Sequence, residues 1–280
     1  MSEAALEKIL RRERAIAATS LAALTLLAWI YVLWLVNGMQ MQPMDAGTMS
    51  MPDMDMDMSN GAVLEPVLRA WNASDFMFTF AMWTIMMIGM MTPSASPMIL
   101  LYARVGRQSA LQGKPLAATG FFAGGYLLAW TGFSLAATIA QWVLERTLLI
   151  TPMMASTSTA FTGLVLVSAG LFQWTGVKNA CLTHCQNPIA FIQHHGGFRR
   201  DPLGSLTIGF RHGVYCVGCC WALMGLLFVG GVMNPLWIAA IAIYVLVEKL
   251  VPTGRWLPRI AGAVLIAVGT WLLLATAVGA

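Results

Sequence analysis

The residues of this chain best suited to chemistry are its cysteines and the histidines beside them. All 5 cysteines fall into two short clusters. The clusters read Cys181-x-x-His184-Cys185 and His212-x-x-x-Cys216-x-x-Cys219-Cys220. On a helix that turns by about 100° per residue, the members of each cluster share one face. Thiolate and imidazole groups bind copper and zinc, and thiolates select Cu(I), so both clusters are predicted to bind a soft metal, Cu(I) in preference to Zn²⁺.

Other interpretations of the clusters stay open at this point. Cysteine often packs as a small apolar side chain, and two cysteines within one cluster could instead exchange disulfides as a redox pair. Cysteines four positions apart on a helix seldom align well for a disulfide. His184 is a candidate ligand, a partner of a ligand, or a solvated polar residue, whereas His194 and His195 are interpreted as surface-loop residues.

Methionine is the second soft ligand that the sequence concentrates. Of the 20 methionines, eight lie between residues 37 and 72, in a segment rich in Gly, Pro, Ser and Asp. A thioether needs no deprotonation and binds Cu(I) where thiols would oxidise, and the interleaved aspartates raise the local concentration of cations. The segment is predicted to be a flexible outer loop that captures Cu(I) through Met54, Met56 and Met58.

A further row of methionines lies on the apolar segment that follows this loop. Methionine fills gaps in protein cores, so packing is the default interpretation of such a row. Its density next to a methionine-rich loop nevertheless predicts contact with the metal, through Met82, Met86, Met87, Met90 and Met91. Pro93 and Pro97 are expected to kink the far end of this helix or to end its regular hydrogen bonding.

These residues must be positioned by membrane helices. The hydrophobic fraction is 58% and the charged fraction 10%, against about 25% charged residues in a soluble domain. Seven apolar segments approach the roughly 20 residues that a span requires. They are 16–36, 76–102, 117–143, 156–175, 209–231, 236–249 and 258–278. We therefore predict an all-α, polytopic membrane helix bundle of about seven transmembrane helices, and the first is interpreted as a retained helix rather than a signal peptide.

The distribution of basic residues orients the bundle. With the N-terminus inside and the C-terminus outside, only Arg69 and Arg146 of the 16 lysines and arginines fall on the outer face. The predicted organisation is a cytoplasmic N-terminus and first helix (1–36), the outer loop (37–72) and a six-helix metal-binding domain (73–280). The predicted location is a bacterial inner (cytoplasmic) membrane, and the basic residues give no sign of nucleic-acid binding. Gly120, Gly124 and Gly125 predict a face where two helices approach closely.

Two motifs carry a family resemblance. They are Ala81-Met82-Trp83-x-x-Met86-Met87-x-x-Met90-Met91-x-Pro93-Ser94 and Gly209-x-x-His212-Gly213-x-x-Cys216-x-Gly218-Cys219-Cys220-Trp221. This pattern resembles a bacterial family of unknown function, described as predicted metal-binding integral membrane proteins, from about residue 70 onward. The resemblance implies metal binding and does not extend to the outer loop. A looser likeness to small eukaryotic copper transporters lies in Met82/Met86 and Gly120/Gly124.

The resulting hypothesis is a copper-binding membrane protein without enzymatic activity. The outer loop captures Cu(I), the methionine row passes it on, and the cytoplasmic-side thiolates receive it, for uptake or for delivery to a cuproenzyme. The expected partners are the lipid bilayer and either a copper chaperone or a cuproenzyme, with a homo-oligomer as a further option. The alternatives are a membrane thiol-disulfide oxidoreductase and a structural subunit of a membrane complex.

Overall fold

The computed structural model of the chain describes residues 3–40, 71–112, 119–147, 149, 158–251 and 256–278. These residues form ten helices and no strand. The helices are α1 (Glu3–Gln40), α2 (Ala73–Leu111), α3 (Thr119–Arg146), α4 (Thr159–Gln173), α5 (Gly176–Gln186), α6 (Pro188–His194), α7 (Pro202–Gly225), α8 (Leu227–Gly230), α9 (Pro235–Leu250) and α10 (Trp256–Val278). Residues 41–70 lie outside the described part, and with them the predicted ligands Met54, Met56 and Met58.

The prediction of an all-helical fold is confirmed for the described residues, and the predicted apolar segments coincide with helices there. Five stretches within the described ranges are long and apolar enough to cross a membrane. They are Ala18–Gly38, Ala73–Ser109, Thr119–Arg146, Pro202–Gly230 and Trp256–Ala277. A sixth is possible if α4 and α5, which meet at a bend of 63°, form one broken span or a re-entrant loop. Helix α9 has only 16 residues, fewer than the roughly 20 that a span requires. The number of seven spans therefore stays a prediction. The orientation of the termini stays a prediction as well.

Helix α2 continues through both of its prolines. Of the two outcomes expected at Pro93 and Pro97, a kink or an end to regular hydrogen bonding, the helix does not end there, because it runs on to Leu111. Proline lacks an amide hydrogen and leaves a carbonyl of the previous turn without its usual donor. Nearby hydroxyls supply hydrogen bonds to neighbouring carbonyls, from Thr92 to Ile88 at 2.6 Å and from Ser94 to Met91 at 2.9 Å. Hydroxyl side chains support proline-containing membrane helices in this way.

The close helix contact of α3 differs from the predicted one. A Cβ placed at Gly120 or Gly124 would meet no atom within 4 Å, so these two glycines do not form the expected packing face. Gly125 does pack closely, since a Cβ there would collide with the backbone of α7 at Leu206. The complementary glycine is Gly209 of α7, whose Cβ would collide with the Phe122 carbonyl. The helix rotation that buries the α7 cysteines is therefore set by glycines on both partners.

Helices α4 and α10 form an antiparallel pair at the side of the bundle. Gly163 of α4 lies against Gly269 of α10, and Gly170 lies against Gly262, so the two backbones approach at both points. Small residues permit such close packing in membrane helices. The opposite side of α10 exposes large apolar residues such as Trp271 and Leu274. This exposed side is suited to lipid contact.

The segment that follows α4 is folded against α7. The Thr175 hydroxyl caps α5 by accepting a hydrogen bond from the Lys178 amide at 3.2 Å. Pro188 at the start of α6 begins the next short helix. Asp201 then caps α7 by accepting from the Gly204 amide. The helical path of this segment brings the first cysteine cluster against the second.

Candidate metal centre

The three cysteines of α7 are enclosed by the protein. Cys216, Cys219 and Cys220 each have a side chain that is at most 2% exposed. The thiols of Cys219 and Cys220 donate to the Cys216 carbonyl oxygen, at 3.0 and 2.9 Å. The predicted sharing of one helix face therefore holds for these cysteines, and the face points into the core rather than toward lipid.

Helix α5 presents its two cysteines to the same part of α7. The Cys181 sulfur lies over Gly218, where an added Cβ would come within 3.0 Å of it. The Cys185 thiol lies beside the thiols of Cys216 and Cys219, close enough for the three groups to influence one another's ionisation. All five cysteines are free thiols. The two sequence clusters thus form one thiol cluster, made of Cys181, Cys185, Cys216, Cys219 and Cys220.

A buried ammonium group lies against this thiol cluster. Lys249 of α9 is 6% exposed, and its Nζ donates to the Cys216 sulfur at 2.8 Å. The same Nζ lies 3.4 Å from the Ser94 hydroxyl of α2. On the other side, the Tyr126 hydroxyl contacts the Cys216 sulfur at 3.2 Å and donates to the Met91 carbonyl at 3.1 Å. Because it is desolvated, the Lys249 charge stabilises negative charge on the Cys216 sulfur more strongly than it would in water.

A buried ion pair lies beside Lys249. Lys178 of α5 and Glu248 of α9 are 0% and 1% exposed, and their Nζ and Oε1 atoms are 2.7 Å apart. The Tyr244 hydroxyl also lies 3.4 Å from Glu248, and Gln186 donates to its backbone carbonyl. Burying two charges is costly unless they are paired and hydrogen-bonded. This pair therefore holds α5 and α9 together and leaves Lys249 to the thiols.

His212 occupies the next turn of α7 below Cys216. Its ring is surrounded by the rings of Phe122, Tyr126 and Phe191, with centroids 6.0, 5.9 and 5.2 Å away. Its Nδ1 is buried and has no hydrogen-bond partner among the described residues. A buried polar atom without a partner is costly, so this nitrogen is available to a bound cation.

The methionine row of α2 is entirely inside the bundle. Met82, Met86, Met87, Met90 and Met91 are each at most 2% exposed and belong to the main hydrophobic core. Tyr126 connects the inner end of the row to the thiols, since it binds the Met91 carbonyl and Cys216. At the other end, the Trp83 indole donates to Gln141 at 2.7 Å, and Gln141 donates to Glu145. This burial suits both packing and contact with a metal.

The donor set fits a cation of low coordination number. Among the described residues, no three His, Cys, Asp or Glu side chains already converge on a point that would hold a metal ion. Thiolates and thioethers are soft donors that select Cu(I), and Cu(I) accepts two or three ligands. The cluster offers several thiols, the unpartnered His212 nitrogen and neighbouring thioethers. The residues thus suit Cu(I) as a transient cargo better than they suit a rigid four-ligand site.

The chain was then compared with known proteins. The sequence pattern of the PpoB2 family, described as a copper chaperone, matches residues 80–272. The chain belongs to this copper-chaperone family. The match supports a copper-handling role and includes the thiol cluster, the methionine row and Lys249, while the predicted outer loop precedes it. No curated protein and no solved structure matched the chain.

Sequence reasoning missed the polar surroundings of the thiols in this family member. The distribution of basic residues in the sequence places Lys178 and Lys249 among the cytoplasmic charges that orient the bundle, whereas both are buried in the structure. The adjacent pair Glu248-Lys249 at the end of an apolar helix was a usable signal, because an ionisable residue within a membrane segment is usually functional. Tyr126 gave no such signal, since its role depends on how α3 faces α7.

Proposed function

We propose that this protein is an integral-membrane copper chaperone that holds Cu(I) at its buried thiol cluster and delivers it to a partner. The observation that carries this proposal is the meeting of Cys185 of α5 with Cys216 and Cys219 of α7 beside the Lys249 ammonium. The family match supports the copper. The bundle is proposed to lie in a bacterial inner membrane with seven spans, N-terminus inside and C-terminus outside.

Within the cluster, Cu(I) is proposed to bind thiolates of both helices. Cys185 and Cys216 come from different elements, so one ion between them would link α5 to α7. Cys181, Cys219, Cys220 and His212 are the proposed further ligands, whereas the His184 ring stacks on Tyr215. Two thiolates and one Cu(I) carry a net negative charge, which the buried Lys249 ammonium balances.

The route to the cluster is proposed to use methionine. Met54, Met56 and Met58 of the outer loop take up Cu(I), and the row from Met82 to Met91 passes it inward by exchange of thioether ligands. Thiolates bind Cu(I) more tightly than thioethers, so the transfer runs downhill without ATP. Copper then leaves for a cuproenzyme or for cytoplasmic use. This role is that of a carrier, and no chemical transformation is required.

Metal content under reducing conditions tests the proposal. Wild-type protein, a Cys216→Ser/Cys219→Ser/Cys220→Ser variant and a variant lacking residues 39–58 are loaded with Cu(I) and desalted. We expect wild type to retain sulfur-bound copper that the serine variant loses, and the loop deletion to slow loading without lowering final occupancy. X-ray absorption spectroscopy identifies the sulfur ligands. Equal sulfur-bound copper in wild type and the serine variant would refute the role of the thiols.

A further inference from the structure

The 4 histidines of the chain form a connected group where α5 and α6 meet the middle of α7. The His184 ring stacks on Tyr215 with a centroid distance of 4.4 Å and an angle of 6°. The His195 ring lies 6.3 Å from His184 and 6.0 Å from His194. Phe191 contacts both His195, at 4.4 Å, and His212, at 5.2 Å. The proposed function uses His212 and leaves the others unexplained.

His184 and His195 have the same unusual hydrogen bond. The Nδ1 of His184 lies 2.8 Å from the carbonyl oxygen of Ala180, and the Nδ1 of His195 lies 2.8 Å from that of Phe191. A carbonyl oxygen can only accept, so each Nδ1 carries the hydrogen. In a neutral ring the Nε2 lone pair is then free. Metal-binding histidines are held in this way, with the second nitrogen donating to a carbonyl or carboxylate.

The separation of the two rings suits one metal ion between them. A metal–nitrogen bond is about 2 Å long, and the nitrogen lies about 1 Å from the ring centre, so two imidazoles on a linear two-coordinate ion have centres roughly 6 Å apart. The observed separation of His184 and His195 is 6.3 Å. Linear coordination by two ligands is a geometry that Cu(I) adopts readily.

Tyr215 and α5 connect this histidine pair to the thiols. Tyr215 contacts both rings of the pair and directly precedes Cys216 in the chain. On α5, His184 stacks on Tyr215 while its neighbour Cys185 interacts with the thiols of α7. Adjacent residues of one short helix thus reach both groups. The thiol cluster and the histidine pair are therefore neighbouring groups.

We propose that His184 and His195 form a second Cu(I) site, through their Nε2 atoms, at which copper from the thiol cluster docks before release. The proposal rests on the copper-handling function proposed above and adds its exit point. Each neutral imidazole donates one lone pair and keeps its Nδ1 hydrogen. The transfer therefore exchanges ligands without change of oxidation state, and the thiolates left behind take up protons. Because imidazole holds Cu(I) less tightly than thiolate, this site fills once the thiols are occupied and then releases its ion readily.

The test uses Cu(I) itself as the probe, on full-length protein loaded beyond the capacity of the thiols. X-ray absorption distinguishes nitrogen-bound from sulfur-bound copper. We compare wild type, a His184→Gln/His195→Gln variant, and His194→Gln as the matched control, since His194 is the exposed neighbour of His195 in the chain. We expect the double variant to lose about one nitrogen-bound copper per chain and the control to keep it.

Two outcomes overturn the inference: unchanged nitrogen-bound copper in the double variant, or an equal loss in His194→Gln. The Cys216→Ser/Cys219→Ser/Cys220→Ser variant separates this test from that of the proposed function. If the thiol cluster has no role, sulfur-bound copper persists in that variant whatever the histidines do. If only the second site fails, sulfur-bound copper disappears in the serine variant while the His184→Gln/His195→Gln variant matches wild type in nitrogen-bound copper. Thermal unfolding of each variant confirms that it is folded.

Discussion

Lys249 of α9 donates from its Nζ to the sulfur of Cys216 on α7 over 2.8 Å, and both side chains are buried. Two residues 33 positions apart are thereby joined as a charged donor and a soft ligand. Since a desolvated ammonium favours an anionic neighbour, this contact prepares Cys216 to act as a thiolate ligand. Four predictions follow from it and from the packing that surrounds it.

Replacing Lys249 should weaken copper binding without removing any ligand. In Lys249→Met the negative charge of copper-bound thiolates is no longer balanced, and we expect Cu(I) affinity to fall by about 10- to 100-fold, as for the loss of other groups that support metal ligands. Competition with a chromophoric Cu(I) chelator measures this. Lys249→Arg keeps the charge and should retain most of the affinity. Equal affinities of Lys249→Met and wild type would contradict the role of the ammonium.

Breaking the ion pair of Lys178 and Glu248 should destabilise the bundle. Glu248→Gln leaves a buried ammonium without its partner, and we expect the free energy of unfolding to fall by about 3–5 kcal/mol. Thermal unfolding in detergent reports the loss. The double variant Lys178→Met/Glu248→Leu removes both charges and should recover most of the stability. A double variant as unstable as Glu248→Gln would show that the charges are needed for more than each other.

Replacing a packed glycine and an unpacked glycine with alanine should affect stability very differently. Gly209→Ala places a methyl group against the Phe122 carbonyl, so α3 and α7 must move apart and the folded protein should be strongly destabilised. Gly124→Ala meets nothing within 4 Å and should be neutral or stabilising by up to about 1 kcal/mol, because alanine favours helix. Unfolding temperatures of the pair measure the difference. Similar values for the two variants would disprove the predicted α3–α7 contact.

The methionine row can be tested by keeping its shape and removing its sulfur. Met86→Leu/Met90→Leu/Met91→Leu conserves volume, and such exchanges usually cost less than about 1.5 kcal/mol each. If the row carries copper, loading of the thiol cluster from the outer side of proteoliposomes should slow while unfolding changes little. Met77→Leu, at a residue that is 59% exposed, serves as the control. An unchanged loading rate in the triple variant would assign the row to packing alone.

Local patterns in the sequence determined much of this fold. Apolar runs of helical length predict the helices that the structure contains, because burial or lipid contact of a helix depends mainly on its own composition. The spacing of Cys216, Cys219 and Cys220 likewise predicts that they share one face, since helical periodicity is the same in every context. The soft character of these donors predicted copper, and the family match agrees with it.

The tertiary structure decided which faces meet. Gly124 and Gly125 are adjacent in the sequence, yet only Gly125 packs against α7, because the rotation of α3 about its axis is set by its partner. The approach of Cys185 to Cys216 and of Lys249 to the same sulfur joins three helices across long stretches of chain. No local periodicity encodes such contacts, since they depend on how helices α5, α7 and α9 pack together in depth, rotation and tilt.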